Sequence, residues 1–126
     1  MTHEPIKTRV VGVDIQIDTT TLAVIDVRGN ILAQKEFPTG TNPNIGDFSS
    51  ILSQHVVSLV EENGGYESIR SLGICCSSSN FMTGCIENAP NLPWKGVVPL
   101  AAMMRDRLGL AVALGNNAHA RGLGEL

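Results

Sequence analysis

The chain has 126 residues, 43% of them hydrophobic, and its 9 basic and 12 acidic side chains leave a net charge of −3. That length buries one core, and charges spread without runs exclude a disordered chain, a basic nucleic-acid footprint and a polybasic membrane patch. No apolar stretch approaches the roughly 20 residues of a membrane helix, and Met1-Thr2-His3-Glu4-Pro5 is unlike a signal peptide, so a cytoplasmic address is expected, with no nucleic-acid or membrane partner.

Residues 1–8 read as a polar tail and 9–126 as a single folded unit. From Arg9 to Phe37 the pattern predicts three short strands in a row. Val11, Val13, Ile15 and Ile17 alternate with Gly12, Asp14, Gln16 and Asp18, which places the apolar set on one face. Thr19 to Val27 continues as a β-branched run, and Arg28-Gly29-Asn30 supplies turn chemistry before Ile31. Asp14, Gln16 and Asp18, two apart, suit either a cation or phosphate approach or a solvated sheet face.

Pro38 to Gly46 is a loop by composition, and Asp47 is the expected N-cap of a helix. Phe48, Ile51, Leu52, His55, Val56, Leu59 and Val60 recur at helical spacing until Gly64-Gly65. His55 on that stripe reads as a core or boundary histidine. Ile69 to Ser79 predicts a buried strand parallel to the first, which would put Ser77-Ser78-Ser79-Asn80 at the carboxyl end where open α/β sheets bind ligands. A flexible serine turn is the other reading. Phe81 to Asn88 predicts a hairpin with a Thr83-Gly84 turn.

Ala89 to Gly96 holds two prolines and the only tryptophan in a rigid, non-helical segment that either grips a sugar or plugs the core. Pro99 then opens a helix with Leu100, Met103, Met104 and Leu108 as its stripe, and Gly109 ends it. Leu110 to Leu114 predicts a short strand, followed by a helix starting near Asn117. Cys75, Cys76 and Cys85 read as reduced structural thiols, because adjacent strand residues face opposite ways, and no metal site is predicted.

The order β-β-β-α-β-α-β-α resembles the amino-terminal lobe of the ribonuclease H-like fold shared by actin, hexokinase and Hsp70, an α/β lobe on a mixed β-sheet. More narrowly the chain is similar to the ROK family of sugar kinases and sugar-responsive repressors. Gly12-Val13-Asp14-Ile15, with Asp26 and Gly29-Asn30-Ile31-Leu32, resembles the family's V-D-I-G-G-T-K hairpin and D-x-x-G-N-I-L pattern. Asn88 to Trp94 resembles N-A-P-N-L-P-W. Pro99-Leu100 and Arg107 to Leu110 resemble the V-P-L helix and R-L-G-L-P-V, and the segment to Leu123-Gly124-Glu125 resembles E-N-D-A-N-A-A-A-L-G-E.

The resemblance implies ATP-dependent hexose phosphorylation with Mg-ATP, in a cleft between two lobes. It places Asp14, Gln16 and Asp18 on the phosphate and Mg side, Asn91, Asn116 and Ser78 on the sugar, and Asn117 at the catalytic aspartate. The departures point the other way. Gln16, Ile17 and Asp18 replace two glycines and a threonine, and the V-P-G loop is altered around Cys76 to Ser78. An amide at Asn117 cannot act as general base, which typically removes about 10² to 10⁴-fold in rate. A lobe inactive on its own is therefore expected, with a hexose or N-acetylhexosamine as ligand and a second lobe or a homodimer as partner. A non-catalytic sugar-binding regulator and a dimerising structural remnant are the alternatives. A DNA-binding repressor is disfavoured, since only nine residues precede Val10.

Overall fold

Alternation along β1 (Arg9–Ile15) buries Val11, Val13 and Ile15, and this strand becomes the centre of a five-stranded sheet. The structure is a computed structural model that describes residues 9–90 and 92–115. β2 (Thr19–Asp26) and β3 (Ile31–Pro38) follow as an antiparallel meander. The turn between them is built by Asp26, whose Oδ1 accepts from the backbone N–H groups of Arg28 and Asn30, both at 2.9 Å. The Asn30 backbone bond, before the Asn30 side chain and Arg28, holds the Asp26 carboxyl below its ordinary range. Asp26 and Asn30 thus make the turn, not a ligand site.

Helix α1 (Ile45–Glu62) starts three residues earlier than an N-cap at Asp47 predicts. Asn44 is the cap: its side chain accepts from the N–H groups of Gly46 and Asp47, while Asp47 accepts from the Asn42 amide. The helix ends at Glu62, where the N–H groups of Asn63 and Gly65 both donate to the Val60 carbonyl, with Gly64 and Gly65 at positive φ. Its buried face holds Phe48, Leu52, Val56, Leu59 and Val60 as expected, but Ile51 faces out and Ser49 and Ser53 face in. Those serines bond back to Gly46 and Ser49 carbonyls, which allows close approach by the second helix.

After a 3₁₀ turn (Tyr66–Ser68), β4 (Ile69–Cys76) lies parallel to β1, and β8 (Ala111–Gly115) lies parallel to β4, giving the order β3-β2-β1-β4-β8. Helix α2 (Leu100–Leu108) packs on α1 and on β8, so both helices join the core that β1, β2 and β4 build. The expected hairpin is part of a second sheet that the sequence did not reveal: β5 (Ser79–Asn80), β6 (Cys85–Glu87) and β7 (Val97–Val98) in that order. Pro99 occupies the cap position of α2, one residue before the first turn, and contributes no side-chain cap. Ile17 departs from the alternation as well, since β1 ends at Ile15 and Ile17 is 53% exposed in the turn.

Trp94 settles one of the alternatives. It is 2% exposed and lies against Phe48 with ring centroids 4.5 Å apart, and Phe48 in turn meets Phe37 at 6.0 Å. Trp94 plugs the core. His55 stacks on Phe37 at 4.4 Å and is a packing residue, its basicity lowered by burial and then by Lys35. No helix among the described residues is long and apolar enough to cross a membrane.

Candidate functional site

The parallel strands bring their carboxyl ends into line. Asp14 on β1 pairs with Cys75 on β4, and Cys75 pairs with Gly115 on β8, so three strand ends open on one edge of the sheet. Asp14 is held there by β1's central position. Its Oδ2 accepts from Gln16 Nε2 at 2.9 Å, and its Oδ1 is buried with no hydrogen-bond partner among the described residues.

The turn from β1 to β2 is tightly bonded. Gln16 N–H donates to the Thr19 carbonyl at 3.0 Å, and Thr39 Oγ1, just beyond β3, donates to the Gln16 carbonyl at 2.7 Å. Since the Thr39 hydroxyl proton is engaged there, the buried Thr20 hydroxyl donates to Thr39 Oγ1 at 2.8 Å. Thr39 N–H also donates to the Asp18 carbonyl. Asp14 and Gln16 are thus brought together, whereas the exposed Asp18 side chain lies in the turn and not on the strand face that a spacing of two implies.

On the β4 side, Ser77 and Ser78 form the turn into β5. Ser78 adopts φ +61°, a left-handed conformation that favours glycine, and its carbonyl accepts from Glu87 N–H at 2.8 Å. The serine turn is therefore ordered by the second sheet. Ser78 faces solvent at this edge. Asn91, Asn116 and Asn117 lie outside the described residues.

Composition alone did not reveal Cys76 as a neighbour of Asp14, although its place at the end of an apolar run was the available signal. Burial first, then Cys75, pushes the Cys76 thiol up to about 12; the Asp14 charge adds to the rise and a hydrogen bond from Ser79 opposes it. Cys75 is buried too, while Cys85 is half-buried. Iodoacetamide labelling at neutral pH is expected to modify Cys85 alone in the folded protein and all three thiols in urea; prompt labelling of Cys76 in the native state would contradict the burial. Among the described residues no group of three His, Cys, Asp or Glu side chains could hold a metal ion.

Mg-ATP can be tested against these residues. The Asp14 carboxylate carries the charge a cation would need, but its Oδ1 is buried and the turn does not suit a nucleotide. The Gln16 N–H is engaged by Thr19, its amide covers the other Asp14 oxygen, and Ile17 and Asp18 bring side chains and a negative charge where phosphate oxygens would need bare backbone. Nucleotide phosphates do not fit this turn as built.

A meander, a crossover helix and two further parallel strands define one lobe of the actin and hexokinase fold. The ROK glucokinase of Streptomyces griseus, solved with glucose and AMPPNP, superposes with a TM-score of 0.77 at 26% identity, covering 93% of this chain and 36% of that one. A ROK family transcriptional regulator homologous to the E. coli MLC protein shares the fold at a TM-score of 0.75 and 16% identity, over 94% of this chain and 30% of its own. The ROK family model matches residues 10–126, and the chain belongs to the ROK family. It is also 31% identical over 116 residues to a glucokinase of Streptomyces coelicolor, covering 91% of this chain. The chain spans about a third, 34%, of that relative's length.

Proposed function

We propose that this chain is the amino-terminal lobe of a ROK sugar kinase-like protein, and that it recognises a hexose or N-acetylhexosamine without phosphorylating it on its own. The observation that carries this reading is the bonded β1–β2 turn, in which Gln16 caps Asp14 where the family resemblance calls for bare glycine backbone. Asn117 in place of the catalytic aspartate supports the same reading, because a carboxamide cannot take the proton from an attacking hydroxyl. The sugar side falls to Ser78, Asn91 and Asn116, and the phosphate side to Asp14, Gln16 and Asp18. Residues 9–126 act as one lobe behind the tail at 1–8, in the cytoplasm.

The partner is a second lobe or a second copy. The exposed Phe81 and the 87% exposed Met82, on the loop beside the strand ends, support the second copy. The test is an NMR titration with glucose, N-acetylglucosamine and N-acetylmannosamine, run beside a coupled assay with Mg-ATP. Shifts of Ser77 to Asn80 at millimolar sugar with no product are expected. Product formation by the isolated chain, or silence toward every sugar, would overturn the reading.

A further inference from the structure

We propose that the Gln16 carboxamide is a built-in occupant of the Asp14 carboxylate, a latch that takes the position a divalent cation would need and makes this edge of the site independent of metal. The inference rests on reading the β1–β2 turn as the phosphate side of the site, and it assigns a role to a residue that the departures alone would class as a loss.

Two observations at the Asp14 carboxylate bear on Gln16. Its Nε2 lies 2.9 Å from Asp14 Oδ2 in a solvent-exposed contact, and a cation bound to that oxygen at about 2.0–2.6 Å on the same lone pair would meet the amide. The other oxygen, Oδ1, is buried. A hydrated Mg²⁺, which keeps several of its waters, needs an oxygen that solvent can reach, so Oδ1 does not replace Oδ2 in that role. The amide and the ion therefore compete for one position.

The latch is also held in place. Both backbone polar groups of Gln16 are bonded, the N–H to Thr19 and the carbonyl to the Thr39 hydroxyl, which the buried Thr20 hydroxyl supports in turn. With the backbone fixed, only the side-chain torsions must be ordered to reach Asp14, which lowers the entropic cost of the contact. An amide NH₂ donating to a carboxylate is a charge-assisted bond, stronger than one between neutral groups. A side chain on a mobile turn would not compete with an ion on these terms.

The experiment uses the whole chain and Mn²⁺ as the probe, read by paramagnetic broadening of backbone amides. In the unaltered protein, broadening at residues 13–16 and 75–77 should be no greater than in the Asp14→Asn variant. Gln16→Ala should bind Mn²⁺ at Asp14 about tenfold more tightly, the equivalent of releasing one hydrogen bond to a charged group, and Gln16→Ala with Asp14→Asn should lose that gain. Equal broadening in the unaltered and Gln16→Ala proteins would overturn the proposal. A second reading needs no change at Gln16. Its side-chain NH₂ protons should exchange slowly and be shifted from free glutamine in the unaltered protein and return toward free glutamine in Asp14→Ala, which removes the acceptor, and free-glutamine behaviour in the unaltered protein would equally remove the latch. Sugar titrations in the same spectra separate the two ideas, because silence toward sugars with an intact Mn²⁺ gain in Gln16→Ala would refute the sugar reading and leave the latch standing.

Discussion

Replacing Trp94 with alanine is expected to lower the free energy of unfolding by about 3–5 kcal/mol, the range for removing a buried large aromatic from a packed core. Trp94 closes a row of rings that runs through Phe48 and Phe37 to His55, and so ties the connection between β6 and β7 of the second sheet to helix α1 and to edge strand β3. A domain of this size has about 5–15 kcal/mol in total, so the variant should be partly unfolded near 37 °C. Urea unfolding followed by far-ultraviolet circular dichroism measures the loss, since the only tryptophan is gone. Trp94→Phe should cost far less, because the indole N–H is buried without a partner among the described residues and its removal breaks no bond. A loss under 1 kcal/mol for the alanine variant, with weakened sugar binding, would return Trp94 to the ligand.

Gly84→Ala is expected to cost about 2–4 kcal/mol, from two independent sources. Gly84 has φ +69°, where a β-carbon carries roughly 1 kcal/mol of strain. That carbon would also stand 2.9 Å from the Ala101 β-carbon on α2, a contact that must force about 1–3 kcal/mol of displacement. The approach has a reason. Pro99 gives α2 no side-chain cap, and the Gly84 carbonyl accepts from Ala101 N–H at 3.1 Å in its place. Adding Ala101→Gly should recover the contact part and leave the strain, so the double variant should unfold at a urea concentration between those of the parent and of Gly84→Ala. No recovery would mean that the damage lies in the hairpin turn alone.

Periodicity carried most of the main sheet because strands β1 and β2 each have one face against the helices, and a face buried along its whole length writes a period of two into the sequence. Where the residues read differently, helix packing or local side-chain to backbone bonds outweighed the apolar pattern. Ser49 and Ser53 are polar but small, and the α1 face nearest α2 needed small side chains more than apolar ones, with Arg107 reaching the Ser49 hydroxyl across the gap. Asn44 took the cap from Asp47 because Asn42 and Asn44 form a run of side-chain to backbone bonds that starts the helix early. The two-residue strands of the second sheet are too short to have a period. At the site, the sequence singled out Asp14, Gln16 and Asp18 as a set, but a hydrogen bond joining the first two and a turn removing the third depend on where β1 stops. The positive φ of Ser78 left no mark in composition, and Asn91, Asn116 and Asn117 stay as sequence assignments.

The register of β1 sets an order of assembly. Its antiparallel partner follows after one tight turn, whereas its parallel partner arrives only after β3 and the whole of α1, with Arg9 opposite Ile69. Closing that longer loop is entropically later and slower, so the meander, with the Thr39 strap already fastened to the Gln16 turn, can form while the rest of the chain is still emerging from the ribosome. Until β4 docks, β1 has an open edge and an uncovered apolar face, which makes the interval before α1 and β4 settle the time when this chain most needs a chaperone.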